Sequence, residues 1–278
     1  MALIAPSDGT AVQYDCLAPF YDRFTAGYEY ESWISAIEAR AVLVGLKGAR
    51  ALDIACGTGN STLPLVDRGY SVLACDISEE MIREARSKRP DQADTFFVAD
   101  MRDLPSLGKF DLVLCLDDAI NYLLSDSELE ATFTGVAHAL SPEGVFAFDV
   151  NSLLTYRTSF AETFLSEQDG VFFTWHGEGT AEIQPGEMAS ATVEIFAECD
   201  DGRWERHTMR HVQRHHPRQA IRAALEHAGL ECRLALGQHR GARLEDNVDE
   251  SSHIKVVYLA THARRGAPRF RWGRENSL

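Results

Sequence analysis

A chain of 278 residues, 45% apolar and 25% charged, is long enough for one large α/β domain or a core with a smaller attachment. Its formal net charge of −15 lacks the cationic footprint that a phosphate-backbone binder needs, so no nucleic acid is expected as a partner. The N-terminus has no basic segment followed by an apolar one, and no apolar run nears the roughly 20 residues that span a bilayer. A cytoplasmic protein with no membrane contact is therefore expected.

The chain opens with helical sequence. Aromatics recur at Tyr14, Phe20, Tyr21, Phe24, Tyr28, Tyr30 and Trp33, a stripe that packs onto a core. The pattern changes at Ala49. Residues 51–55 form a short apolar strand, followed by a glycine turn and a helix over 61–68. A second strand over 70–76 leads into a helix opened by Ser78, with Glu79 and Glu80 in its first turn. Residues 95–98, 110–116 and 144–149 read as three further strands, with a helix over 126–140 before the last. Strands alternating with helices imply a parallel sheet covered on both faces.

After Asn151 the rhythm breaks. A helix over 152–164 precedes strands over 171–175, 189–197 and 204–215, the last two joined by a turn at 200–202. A helix over 217–228, ended by Gly229, and strands over 231–236 and 253–261 close the domain. The stretch 264–274 is strongly basic and reads as a solvated tail. The six cysteines contain no Cys-x-x-Cys pair, which leaves zinc and redox motifs unsupported and fits buried thiols.

Acidic residues stand at four successive strand ends: Asp53, Asp76, Asp100 and the pair Asp117-Asp118. Ligands of open parallel sheets bind at those ends. Gly57 and Gly59 let backbone approach a ligand closely. A dinucleotide site would place a third glycine near Thr62 and would not favour Asp53 beside a pyrophosphate. A cationic, phosphate-free ligand such as S-adenosylmethionine suits Asp53 better. Asp76 is placed to accept both ribose hydroxyls, and Asp100-Met101 to flank the adenine.

On these residues the sequence resembles the class I methyltransferases, in their small-molecule branch. Its patterns are similar to those of bacterial N-methyltransferases, including amino-sugar N,N-dimethyltransferases of antibiotic pathways. The resemblance implies an α/β fold: a Rossmann-like, doubly wound, mostly parallel seven-stranded sheet with an inserted antiparallel sheet and an N-terminal helical lid. It divides the chain into a lid (1–46), a cofactor-binding core (47–151), an inserted sheet over the acceptor (152–216), a returning helix and strands (217–263) and the basic tail (264–278). It implies S-adenosylmethionine held by Asp53, Ala55, Cys56, Gly57 and Asn60 after the first strand, and by Asp76, Ile77 and Met81 after the second. Asp100, Met101, Arg102 and Leu116 complete that set on the core, and Tyr14, Tyr21 and Trp33 on the lid.

For catalysis the candidates are Asp118, Tyr122 and His211. In this family the loop after the fourth strand lies beside the transferred methyl, so Asp118 would hold an ammonium or orient an amine, and Tyr122 would bond the acceptor. The amino-sugar relatives carry a histidine near the position of Tyr122, so substrate and chemistry need not be copied from them. His207, His211 and His215 fall on one face of a strand, but a spacing of four puts neighbours roughly 13 Å apart. They cannot share one ion, no metal is expected, and His211 is the one taken for the acceptor. Nitrogen stands ahead of oxygen as acceptor atom, with an O-methyltransferase or a non-catalytic cofactor binder as alternatives. Monomer and homo-oligomer both remain open.

Overall fold

The structure is a computed structural model that describes residues 9–199 and 201–263, so the basic stretch after Ala263 lies outside the described residues. The N-terminal helices, labelled the lid below, are α1 (Gly9–Leu17), α2 (Tyr21–Phe24) and α3 (Tyr30–Val44). The core follows as β1 (Arg50–Ile54), α4 (Thr62–Asp67), β2 (Ser71–Asp76), α5 (Glu79–Lys88), β3 (Phe96–Val98), β4 (Phe110–Cys115), α6 (Asp126–Ala139) and β5 (Leu140–Asn151). Next come α7 (Leu153–Thr158), β6 (Thr163–Gln168), β7 (Val171–Gly177), β8 (Met188–Glu198) and β9 (Trp204–Arg214). The chain returns through α8 (Arg218–His227), β10 (Leu230–Gln238), β11 (Leu244–Asp246) and β12 (Lys255–His262).

Two sheets result. The larger has the order β11-β10-β12-β5-β4-β1-β2-β3, and the smaller is β6-β7-β8-β9. Strands β1 to β5 run parallel, and β10 to β12 are antiparallel additions. Strand order reverses between β4 and β1, and this switch point is where the ends of the two strands diverge and leave a crevice. The central strands are apolar on both faces because both are covered. On one face Phe133, Phe146, Phe148 and Tyr258 pack as a run of rings, with Phe146 and Phe148 centroids 4.6 Å apart. On the other, Trp33, Ile34, Ile37 and Ala41 of α3 press against Leu112, Leu114, Val257 and Leu259. The helices start where the sequence allows it. Ser78 Oγ accepts the Met81 N–H at 3.1 Å, and Ser125 and Glu128 form a reciprocal capping box on α6.

Two elements differ from the sequence expectation. The large sheet has eight strands rather than seven, because the three-residue β11 pairs with β10. The expected helix over 152–164 stops at Thr158, and Thr163–Gln168 is instead a fourth strand on the edge of the small sheet. Both are edge strands. One is too short to show a period, and the other is exposed over most of its length, so no buried face wrote an alternation into its sequence.

Candidate active site

The loops after β1 and β2 are built around buried carboxylates. Asp53 is wholly buried, and its Oδ2 accepts from the hydroxyls of Ser61 (2.7 Å) and Thr62 (2.6 Å). Those bonds pin the start of α4, while Oδ1 of Asp53 has no partner among the described residues. Burial pushes this carboxyl up to about 6. Asp53 thus anchors the loop through one oxygen and leaves the other unpaired.

Ala55, Gly57 and Gly59 all have positive φ (56°, 54° and 85°), which curls the loop back on itself. A Cβ on Gly59 would meet the Phe96 ring at 3.0 Å, so a side chain there would force the loop off β3. Cys56 is buried beneath the turn. Asp76 takes one backbone N–H on each oxygen, from Gly57 and Ser78, both at 2.9 Å. Asp100 caps the next turn through Arg102 N and is gripped by the Arg102 guanidinium, which also reaches Glu128 at 3.1 Å. Arg102 therefore serves Asp100.

The lid is latched to these loops. Asp15 Oδ1 accepts from Ser78 Oγ at 2.6 Å. Asp22 accepts from Thr58 Oγ1 (2.7 Å), Asn60 Nδ2 (3.1 Å) and Lys88 Nζ. The Tyr21 ring lies 3.5 Å from where a Cβ on Gly57 would be. Met81 and Ile77 differ in exposure: Met81 is wholly buried in the cluster beneath α1 and β7, while Ile77 is half-buried at the loop.

Beyond β4 the chain enters a chamber of about 490 Å³, a volume that suits a small-molecule ligand. Its walls come from the lid (Tyr14, Tyr21, Tyr28, Trp33), the loop after β4 (Asp117, Asp118, Tyr122), the small sheet (Trp175, His211, Gln213) and the far strands (Gln238, Lys255). Asp117 and Asp118 both sit in the left-handed region, with φ 61° and 52°. Lys255 holds them there. Its Nζ lies 2.9 Å from Asp117 Oδ1, 2.7 Å from Asp118 Oδ1 and 3.0 Å from Asp149 Oδ2. Tyr30 and Tyr21 donate to Asp117 Oδ2 (2.9 and 3.3 Å), and Gln213 Nε2 donates to Asp118 Oδ2 at 2.6 Å. Buried Asn121 stitches the loop down, donating to Arg214 O and accepting from Asn151 N, both at 2.8 Å.

Burial raises Asp118 above the usual carboxylate range against the pull of Lys255, and raises Asp149 to about 6. Across the chamber, Tyr122 Oη and His211 Nδ1 are 2.9 Å apart, and the Tyr14 ring packs edge-on against both. Burial lowers His211 to about 4, so it is neutral at physiological pH.

A family model described as a methyltransferase domain matches residues 51–144, which run from β1 to the start of β5. A putative methyltransferase of Geobacillus sp. (strain WCH70) is 31% identical over 204 residues, covering 72% of this chain and 81% of the relative. The chain belongs to the methyltransferase family. The solved structure of a S-adenosylmethionine-dependent methyltransferase from Clostridium acetobutylicum ATCC 824 matches at TM-score 0.75 and 27% identity, covering 90% of this chain and 99% of that one. The sugar N-methyltransferase KedS8 from Streptoalloteichus sp ATCC 53650 shares the fold at TM-score 0.69 and 20% identity, covering 95% of this chain and 99% of its own.

The methyltransferase is S-adenosylmethionine-dependent, and its loops fit that cofactor. Asp76 accepts backbone N–H groups on both oxygens, and as a carboxylate with further lone pairs it suits a pair of hydroxyls. The orphaned Oδ1 of Asp53 is an acceptor suited to a cationic ligand, not to a phosphate.

Several sequence-predicted residues are placed differently from one another. Tyr14, Tyr21, Trp33, Asp118, Tyr122 and His211 meet at the chamber, and Trp33 lies against Lys255 there, 5.4 Å from ring centroid to Nζ. Leu116 is buried in the core beneath α3. Asp118 already holds an ammonium, that of Lys255.

Lys255, Asp149, Gln213 and Asn121 went unread in the sequence. Among the described residues, ligating atoms of His239, Glu245 and His253 gather within 4.8 Å. Nδ1 of His253 accepts the Asp249 N–H at 3.0 Å, so its Nε2 carries the ring proton and faces Glu245 as a donor. A metal there would require a change of tautomer. No helix among the described residues is long and apolar enough to cross a membrane.

Proposed function

We propose that this methyltransferase methylates an amine nitrogen of a small molecule held in the chamber. The charge of the chamber carries the reading. With Asp149 behind the wall, four carboxylates (Glu29, Asp117, Asp118, Asp149) face two cations, Lys255 and Arg240. That surplus of negative charge in a partly dry space favours an entering ammonium and opposes a carboxylate acceptor. The likeness in fold to a sugar N-methyltransferase agrees with an amine acceptor.

When bound, the cofactor supplies a methyl group on a cationic sulfur. Asp76 would hold its ribose, the Gly57 loop and Tyr21 its amino-acid end, and Asp100-Met101 its adenine side. The rest falls to alignment and to exclusion of water, which together lower such a barrier by roughly 7–11 kcal/mol. An amine must shed its proton before it attacks. That proton goes to solvent, since burial makes His211 too weak a base to hold it. The neutral His211–Tyr122 pair is placed to hydrogen-bond and orient the uncharged amine, and Asp117 and Asp118 set the negative field in which the amine sits. Tyr14 closes over the pair.

The test is incubation of the enzyme with isotopically labelled S-adenosylmethionine and matched amines, alcohols and carboxylic acids. Label should enter amines first. Labelling of carboxylic acids or alcohols with amines inert would overturn the reading.

A further inference from the structure

The lid is fastened to α5 at both ends of that helix. Asp15 of α1 accepts from the hydroxyl of Ser78, which caps the start of α5, at 2.6 Å. Asp22 of α2 pairs with Lys88, the last residue of α5, at 2.6 Å. Between the two fastenings, Leu17 and Ala18 share a buried cluster with Met81 of α5. The lid thus lies along the whole helix, a span of roughly 15 Å.

The Lys88 end is a node rather than a single pair. Lys88 Nζ donates to Thr58 Oγ1 and Asn60 Oδ1, both at 2.8 Å. Thr58 Oγ1 and Asn60 Nδ2 in turn donate to Asp22 Oδ1, at 2.7 and 3.1 Å. The node therefore ties the lid, α5 and the loop after β1 to one another, and Thr58 and Asn60 flank Gly59 in the curled part of that loop. One residue before Asp22, Tyr21 packs its ring against the Gly57 turn and donates to Asp117 in the loop after β4. Residues 15–22 thus form a strap from α5 across the cofactor loop to the acceptor loop. Its fastenings differ in exposure. Ser78 is wholly buried, whereas the Asp22 side chain is 50% exposed and that of Lys88 21%. An ion pair that water and salt can reach is the one that yields first.

We propose that the Asp22–Lys88 node is the catch of this strap, and that its opening sets how fast S-adenosylmethionine enters and S-adenosylhomocysteine leaves. The way past the Gly57 turn opens when α2 lifts and takes the Tyr21 ring with it. Asp22 and Lys88 are positioning residues. Neither lines the chamber, and both act through Thr58, Asn60 and the seating of Tyr21. The catch is closed in free and bound enzyme alike, so it governs exchange more than affinity. The proposal is independent of the acceptor, and no acceptor enters its test.

Surface plasmon resonance with the full chain and S-adenosylhomocysteine reads association and dissociation separately. Asp22→Asn and Lys88→Met should each raise both rates by at least about threefold, while Kd moves less than either rate. The double variant should be no faster than the faster single one, because both substitutions open the same node. Wild-type rates should rise with salt, and those of Lys88→Met should not. Lys47→Met, which breaks an exposed pair with Glu143 elsewhere, should leave both rates as in wild type. A merely structural role for the node would loosen the grip on the ligand, speeding release and leaving entry unchanged. That result, unchanged rates in both variants, or wild-type rates indifferent to salt would overturn the proposal.

Discussion

Replacing Lys255 with Met tests how the acceptor loop is held. The substitution keeps the unbranched apolar stem and deletes one ammonium from among three carboxylates at 2.7–3.0 Å. Lys255 is only 8% exposed and Asp149 is wholly buried, so solvent cannot replace it. Removing one partner from a buried ion pair costs about 3–5 kcal/mol. For a chain of this size that lowers the melting temperature by roughly 10 °C, at about 2–4 °C per kcal/mol. The fold should survive, since domains have about 5–15 kcal/mol to lose.

The sign with pH follows from the carboxyls. Burial already raises Asp118 and Asp149, and without the ammonium that holds them down their folded pKa values rise further above the unfolded ones. The folded variant then binds more protons than its unfolded chain, so its stability falls as pH rises. Urea unfolding of Lys255→Met should show a large deficit at pH 8 that shrinks by pH 5. Equal midpoints for variant and wild type at pH 8, or the same deficit at both pH values, would refute the role given to Lys255.

Other outcomes follow from the same geometry. Asp76→Ala should weaken S-adenosylmethionine binding by at least about tenfold in calorimetry, because two charge-assisted bonds to ribose are lost. Asp53 has its folded pKa raised to about 6 from about 4 unfolded, so it takes away up to about 3 kcal/mol of stability as pH rises through that window. Asp53→Asn should flatten that part of the stability profile in denaturant titrations. His211→Phe and Tyr122→Phe should each lower kcat with an amine more than they change cofactor affinity. Equal turnover would remove the pair from the reaction. Burial has brought His211 to about 4, so its neutral form should persist down to about that pH, and its loss should not set the acid limb of the rate profile above pH 5.

The core of the fold was legible because its signals are local. Apolar runs of five or six residues separated by helical stretches announce buried parallel strands, and Asp53, Gly57 and Gly59 lie within seven residues of one another. The edge strands β6 and β11 were not legible, since an edge carries little buried pattern to be read. The charge cluster was hidden for a different reason. Lys255 lies 137 positions from Asp118, and a single lysine at the start of a strand reads as a solvated side chain. Only the antiparallel return of β12 beside β5 brings it under the loop after β4. Gln213 and Asn121 likewise act through contacts about 93–95 positions away. Tyr122 and His211 were singled out separately, one from its loop and one from a strand face. That they form a hydrogen-bonded pair depends on how β9 crosses the chamber.

The most direct test is a crystal structure of the enzyme with S-adenosylhomocysteine and an amine that it methylates. The account predicts the ribose hydroxyls on Asp76 and the amine nitrogen beside Tyr122 and His211 in the chamber. An amine bound outside the chamber, or a ribose away from Asp76, would contradict it.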